Sequence, residues 1–239
     1  MRRTFLPWLG LFVLLLAGCM NRETIPAVDE TPPPTGVPRA PESAAIRPTY
    51  SLQDKQAAAG TGFLIKDAGG KVYFLTAAHV MDDEAEWRSV TNLTLATMAG
   101  KQIGSAKPAD LKWIGKPFDK ADTTWDLTIW EPTFDRPPEP LTLATEDPKQ
   151  NEWVWVAGLP GGQRGPQRFF RCKVTGAESG GVTLRQEDFF QLRGFSGGPV
   201  LDPLGNVVGT VLGGREPNIL CSKVSALRKR LAEAGIQVP

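Results

Sequence analysis

The sequence predicts an all-β sandwich or barrel that ends in a single helix and follows an export signal and a linker. Three observations carry this. Short apolar stretches recur through 50–239, and turns such as "KDAGGK", "LPGGQRGP" and "DPLGN" separate several of them. One late stretch, "VSALRKRLAEAG", spaces Val224, Leu227 and Leu231 at helical intervals, and Gly235 suits its end. The first residues carry the positive charge and apolar run of a secretion signal. With 239 residues, 41% of them apolar, the chain can build a sizeable core in one large domain or two small ones.

In chain order, "MRR" supplies the charge and "FLPWLGLFVLLLAG" the apolar stretch of a signal peptide over 1–18. The stretch is too short, and too soon followed by "CMNRET", for a membrane span. The junction "LAGC", Leu16 to Cys19, resembles the lipobox of bacterial lipoproteins. That resemblance implies cleavage before Cys19, acylation of Cys19 and a stable lipid anchor. By resemblance to enterobacterial lipoprotein sorting, Met20 in place of an Asp implies the outer membrane, with the domain expected to face the periplasm. "RRTFL" also resembles the core of a twin-arginine signal, so two export routes stay open. Residues 19–49 read as a lipidated cysteine and a disordered linker. The stretch "IPAVDETPPPTGVPRAPESAAIRP" is proline-rich, has no apolar period and behaves as an extended spacer.

The domain, 50–239, begins near Tyr50. Its strand candidates are "GTGFLIK", "KVYFLTAAH", "LTLATM", "KPADLKWI", "DLTIWE", "NEWVWVAG", "RFFRCKVTGAE", "GVTLRQED", "GPVLD" and "VVGTVLG". Trp153 and Trp155 alternate with Val154 and Val156, as strand faces do, and the tryptophans read as core.

Composition narrows the function. With 27 basic and 26 acidic residues the chain has no electrostatic case for nucleic acid. Three cysteines and one histidine, without metal-ligand spacing, imply neither a zinc site nor a disulfide scaffold, and no cofactor is expected. Cys172 and Cys221 could equally be a disulfide or two buried thiols.

The single histidine, His79, ends the apolar run "FLTAAHV". Ser196 sits among glycines in "GFSGGPVLD", where the backbone can turn sharply and aim N–H groups at an oxyanion. Asp126 stands at the mouth of the apolar strand "DLTIW", a costly place for an acid without a partner. Asp122 is a nearby decoy without the following Leu-x-Ile run. Read literally, "GFSGG" also fits the G-x-S-x-G elbow of α/β-hydrolases, but no histidine follows Ser196 as that order requires. The order acid, His, Ser is formally open through Asp54 or Asp67, but a strand, not a helix, follows Ser196. The order His79, Asp126, Ser196 remains.

From about Gly60 to Leu231 the chain resembles the trypsin-like serine proteases of chymotrypsin fold, with "TAAHV", "DLTIW" and "GFSGGPV" matching their three motifs. "GTGFLI" resembles the strand before the histidine, and "LCSKVSALRKRL" the last strand and closing helix. The short loops resemble the bacterial Deg/HtrA-type subset. The resemblance implies two six-stranded Greek-key β-barrels with a C-terminal helix. It also implies a nucleophilic Ser196, a general base in His79, an orienting Asp126 and an oxyanion hole from the N–H groups of Gly194 and Ser196.

Two positions depart from the family. Phe195 replaces the usual Asp or Asn before the serine, which argues against activation by a freshly cut N-terminus. The specificity floor, six residues before the serine, is Phe190. It offers no counter-charge, so the expected pocket is shallow and prefers small or medium apolar residues over Arg or Lys. Its far wall is expected near Leu212, Gly213 and Gly214. The implied function is a membrane-tethered serine endopeptidase for protein or peptide substrates in the cell envelope. A silent peptide-binding module and an esterase with the same triad are the alternatives.

Overall fold

A computed structural model describes residues 34–53, 55–118, 122–178 and 181–239. The signal peptide and Cys19 lie outside the described residues. The all-β class holds, and the strands form two sheets, one after the other along the chain.

The first sheet contains β1 (Ile46–Ser51), β2 (Gln56–Ala57), β3 (Gly62–Lys66), β4 (Val72–Thr76), β5 (Asn92–Thr97), β6 (Gln102–Ala106), β7 (Leu111–Ile114) and β8 (Thr128–Trp130). A short helix, α1 (Glu84–Arg88), precedes β5 and is capped by the Asp83 carboxylate, which accepts from the Glu86 N–H. The order is β6-β5-β1-β3-β4-β8-β7, with β2 a stub on β1. This sheet is a curled half-barrel, not a closed six-stranded ladder. A 3₁₀ turn at Pro108–Asp110 kinks the chain between β6 and β7. Thr133, just past β8, then bridges back to Ser105 in β6 and brings the two ends together.

The second sheet closes fully as a six-stranded barrel, β10-β11-β14-β13-β12-β9. Its strands are β9 (Trp153–Gly158), β10 (Arg168–Glu178), β11 (Gly181–Gln186), β12 (Pro199–Leu201), β13 (Val207–Arg215) and β14 (Asn218–Lys223). The chain then enters α2 (Val224–Glu233), and Gly235 follows it at φ +77°.

Alternation along the strands assigns each residue to a core. Leu64 and Phe74 point into the first barrel with Ile46, Trp87, Leu93 and Trp130. Their neighbours Phe63, Ile65 and Leu75 face the layer between the barrels, which Ala157, Leu201 and the α2 residues Val224, Leu227 and Leu231 complete. Both faces are buried, so "GFLI" and "YFL" read as continuous apolar runs. The second barrel encloses Val154, Val156, Phe170, Leu184, Phe190 and Phe195. Cys172 and Cys221 lie in the same core as free thiols, which corrects the disulfide alternative. Burial pushes both thiols up from their ordinary range.

The start of the domain differs from the sequence reading. The expected boundary between 49 and 50 falls inside β1, which pairs with β5 from Ile46 to Ser51. Pro48 is tolerated because β5 alone pairs with β1 at that position. The preceding segment is also tied down. Gln167 accepts from the Ala45 N–H at 2.9 Å and donates to the Pro41 carbonyl at 2.6 Å. Ala44, Ala45 and Ile46 are fully buried.

Candidate active site

β4 ends at Thr76, and a single 3₁₀ turn, Ala78–Val80, carries His79 off the strand. The Trp87 indole donates to the Ala78 carbonyl at 2.8 Å and pins this turn from below. Asp126 enters just before β8, which pairs with β4 through Thr76↔Thr128. The pairing brings the carboxylate under the imidazole. His79 Nδ1 lies 2.6 Å from Asp126 Oδ2, and the His79 backbone N–H donates to Oδ1 at 2.9 Å. The Asp126 side chain is fully buried and that of His79 is 21% exposed. The carboxylate therefore holds both the ring and the backbone of one residue, which fixes the tautomer and leaves Nε2 facing outward.

The approach to Asp126 is itself braced. Arg230 of α2 is 3% exposed. Its guanidinium lies 3.4 Å over the Trp125 ring and donates to the Thr124 carbonyl and hydroxyl at 3.0 Å each. Trp125 stacks in turn on Trp113. Asp122, the decoy, accepts from the N–H and hydroxyl of Thr124. Those bonds hold its carboxyl below the usual carboxylate range.

Ser196 comes from the second barrel, on the turn before β12. Its loop lies against the histidine turn. A Cβ at Gly60 would stand 2.7 Å from both Ser196 O and Val80 Cγ1. One at Gly197 would collide with Thr61 O, Thr76 Oγ1 and Ala77 N, so only glycine permits this approach. Among the described residues Ser196 Oγ has no hydrogen-bond partner, His79 included. Such contacts commonly tighten only with substrate bound.

The backbone of this loop is almost fully accounted for. The carbonyls of Arg193, Gly194, Phe195 and Ser196 accept from Gly161 N, Thr61 Oγ1, Gly198 N and Thr61 N at 2.6 to 2.8 Å. The N–H groups of Phe195, Gly197 and Gly198 donate to Leu192 O, Val211 O and Phe195 O. The N–H groups of Gly194 and Ser196 have no acceptor among the described residues. A trans peptide points its C=O and N–H in opposite directions. The Arg193 carbonyl held by Gly161 therefore turns the Gly194 N–H away from Gly161. Phe195 anchors the loop beneath. It is fully buried, 4.7 Å from Phe190 and 5.7 Å from Phe170 between ring centroids, and Gly158 leaves room for its edge.

The other expected site residues fall differently. Phe190 is 3% exposed, stacks on Phe170 at 4.4 Å and has its carbonyl bonded by Gln186, so its ring belongs to the barrel core and not to an open pocket wall. Leu212 is also buried and can offer only backbone. Gly213 and Gly214 pair with β14 on one side. On the other side β12 reaches only Thr210, so the Leu212–Gly214 edge has no strand partner among the described residues. Sequence reading missed Phe118. Its ring meets His79 edge-on at 5.3 Å and lies beside Gly213. A surface cavity of about 850 Å³ beside Thr142–Lys149 contains none of the expected site residues.

A closed β-barrel, a curled partner sheet and a His–Asp pair facing a serine loop define a peptidase class. A family model described as the trypsin-like peptidase domain matches residues 60–209, and the chain belongs to this family of serine-type peptidases. No curated protein matches the chain. Solved structures share the fold. The inactive form of the Rv3671c protease is 22% identical, with 81% of this chain and 90% of that one covered at a TM-score of 0.56. The active form, from M. tuberculosis, is 23% identical, with 83% of each chain covered at a TM-score of 0.55. A serine endoprotease from Yersinia pestis is 18% identical, with 82% and 63% covered at a TM-score of 0.56.

Proposed function

We propose that this chain is a membrane-tethered serine endopeptidase that cleaves extracytoplasmic proteins through His79, Asp126, Ser196 and an acyl-enzyme. The observation that carries the reading is the two-point bond from His79 to a buried Asp126, beside a serine loop whose Gly194 and Ser196 N–H groups lack acceptors. Ser196 Oγ attacks the scissile carbonyl carbon, and His79 Nε2 takes its proton. The carbonyl oxygen becomes an oxyanion between the two N–H groups, each worth about 10² to 10³ in kcat. The imidazolium, stabilised by Asp126, gives its proton to the departing amine. Water then repeats the attack on the acyl-enzyme with the same base.

The substrate lies as an added strand on the Leu212–Gly214 edge. Phe118, edge-on to the imidazole and beside Gly213, narrows that side of the cleft. Phe190, Phe195 and Phe170 pack into one another in the barrel core beneath the serine loop and leave no deep slot there, which favours small or medium apolar side chains over Arg and Lys. Acylated Cys19 tethers the domain at the outer membrane, facing the periplasm.

The test is fluorophosphonate labelling of the detergent-solubilised chain beside Ser196→Ala and His79→Ala. Labelling of wild type that both substitutions abolish supports the reading. A folded wild type that does not label refutes it, and hydrolysis of esters without peptides moves the assignment to an esterase.

A further inference from the structure

The loop that presents Gly194 and Ser196 crosses between the barrels, and one residue of the first barrel meets it at two points. Thr61, immediately before β3, is fully buried. Its hydroxyl donates to the Gly194 carbonyl at 2.6 Å, and its N–H donates to the Ser196 carbonyl at 2.8 Å. Its own carbonyl accepts from the Thr76 hydroxyl at 2.8 Å. Thr76 ends β4, the strand that delivers His79. A continuous hydrogen-bonded chain, Thr76 to Thr61 to Gly194, thus joins the element carrying the base to the loop carrying the nucleophile.

Gly194 needs such a hold. It sits at φ +95° with no side chain to pack, so the peptides on either side of it turn at little steric cost. Of those two peptides, the first is held by a backbone bond from Gly161 to its carbonyl, and the second by the Thr61 hydroxyl at its carbonyl, at 2.6 Å, and by a longer bond from its own Phe195 N–H to Leu192 O, at 3.1 Å. The second peptide lies between the Gly194 N–H before it and the Ser196 N–H after it, so a shift of this peptide changes how those two groups are set relative to one another. It would also strand the buried hydroxyl of Thr61 without an acceptor.

We infer that Thr61 is a positioning residue for this site: its hydroxyl, through the Gly194 carbonyl, holds the Gly194 and Ser196 N–H pair aimed at the oxyanion. Its effect reaches the reaction only through that pair, because Thr61 touches no reacting atom. The inference rests on the peptidase reading for its chemistry, and on the loop geometry alone for its structural part.

The experiment compares Thr61→Val, Thr61→Ala and Thr61→Ser in the full chain. Valine keeps shape and removes the hydroxyl, and serine restores it. With a fluorophosphonate probe, the maximal inactivation rate of Thr61→Val and Thr61→Ala should fall about 10²-fold, as for a lost oxyanion donor. The probe concentration for half-maximal rate should stay near wild type, and Thr61→Ser should return within a few-fold. Equal rates for valine and wild type, or an equal loss in serine, overturn the inference. Should Thr61→Val fail to fold, Thr61→Ala and Thr61→Ser decide the same question. Amide exchange at Phe195 and Gly198 supplies the reading that needs no activity. Faster exchange in the valine or alanine variant, with serine protected, supports the hold, and unchanged exchange overturns it. If wild type does not label, the peptidase reading fails and the exchange result still decides the role of Thr61.

Discussion

Phe195 stands where the family more often places Asp or Asn, and the structure turns this departure into a number. The side chain is fully buried against Phe170 and Phe190, and its ring edge lies 2.9 Å from where a Cβ on Gly158 would stand. The slot therefore fits an aromatic ring with little room to spare. Phe195→Ala removes that ring and leaves a cavity walled by two other rings and a barrel strand. Such truncations cost about 3–5 kcal/mol, and the two lost aromatic contacts argue for the upper half of that range. Phe195→Leu keeps most of the volume and should cost about 1.5 kcal/mol or a little more. Phe195→Asp puts a carboxylate among the rings, where it has to stay neutral or open the loop, and should be the least stable of the three. Equilibrium urea unfolding followed by tryptophan fluorescence measures all three, with an unchanged slope confirming that the unfolded states compare. A whole domain holds only about 5–15 kcal/mol, so the expected loss in Phe195→Ala is a large fraction of the total. The reasoning is refuted if Phe195→Ala stays within about 1 kcal/mol of wild type, or if the Asp variant is as stable as the Leu variant.

Three other outcomes are expected. A chain cut to begin at Tyr50 loses buried Ala44, Ala45 and Ile46 and two thirds of β1, and should give no cooperative melt by circular dichroism, whereas one beginning at Pro34 should melt cooperatively. Arg230→Ala leaves the Thr124 carbonyl and hydroxyl without their guanidinium and uncovers Trp125, so it should lower both the melting temperature and the fluorophosphonate labelling rate, while Glu233→Ala, on the outer side of Arg230, should leave labelling within a few-fold of wild type. Asp188 is held below the usual carboxylate range by the Arg171 guanidinium, so its contribution is complete above the unfolded value of about 3.9 and is lost as pH falls through the lower folded value; the stability gap between wild type and Asp188→Asn should be flat above about pH 5 and narrow below about pH 4 in urea titrations.

The parts of the fold that were legible are those where local pattern and burial agree. "GFLI", "VYFL" and "WVWV" became strands because β-branched and aromatic residues bury on pleated faces, and α2 followed its apolar spacing. β1 was hidden because "IRPTYS" adjoins a proline-rich run and carries Pro48, which only its single-neighbour position tolerates. β6, "QIGSA", is mostly polar or small and is drawn into the sheet by its partners. In the site, His79, Asp126 and Ser196 were legible as residue types in one chain order, and the structure brings the first two into contact. Phe190 was placed as a pocket floor by counting from Ser196. Its burial depends on Phe170 and Phe195, which no spacing rule brings together. Phe118 and Arg230 carried no signal at all, because each reaches its place only when the two ends of a long loop or helix have docked.

The division of labour between the two barrels follows from these contacts. In the proposed mechanism the first supplies the base, its carboxylate and the Thr61 hold, and the second supplies the nucleophile and the oxyanion donors. Neither half can complete the site alone, so its geometry is set at the seam, where Gly60, Thr61 and Thr76 meet Gly194 through Gly197. That seam is made of close backbone approaches and hydrogen bonds, while the apolar layer beside α2 holds the barrels together. Stability and site geometry are therefore separable in this protein. Substitutions in the apolar layer should move the melting temperature first, and removal of the Thr61 hydroxyl at the seam should lower reactivity by more than its effect on stability accounts for. Thr61→Val and Leu231→Ala are the contrasting pair. Equal ratios of labelling rate to stability loss in the two variants would show that the seam and the layer act as one unit.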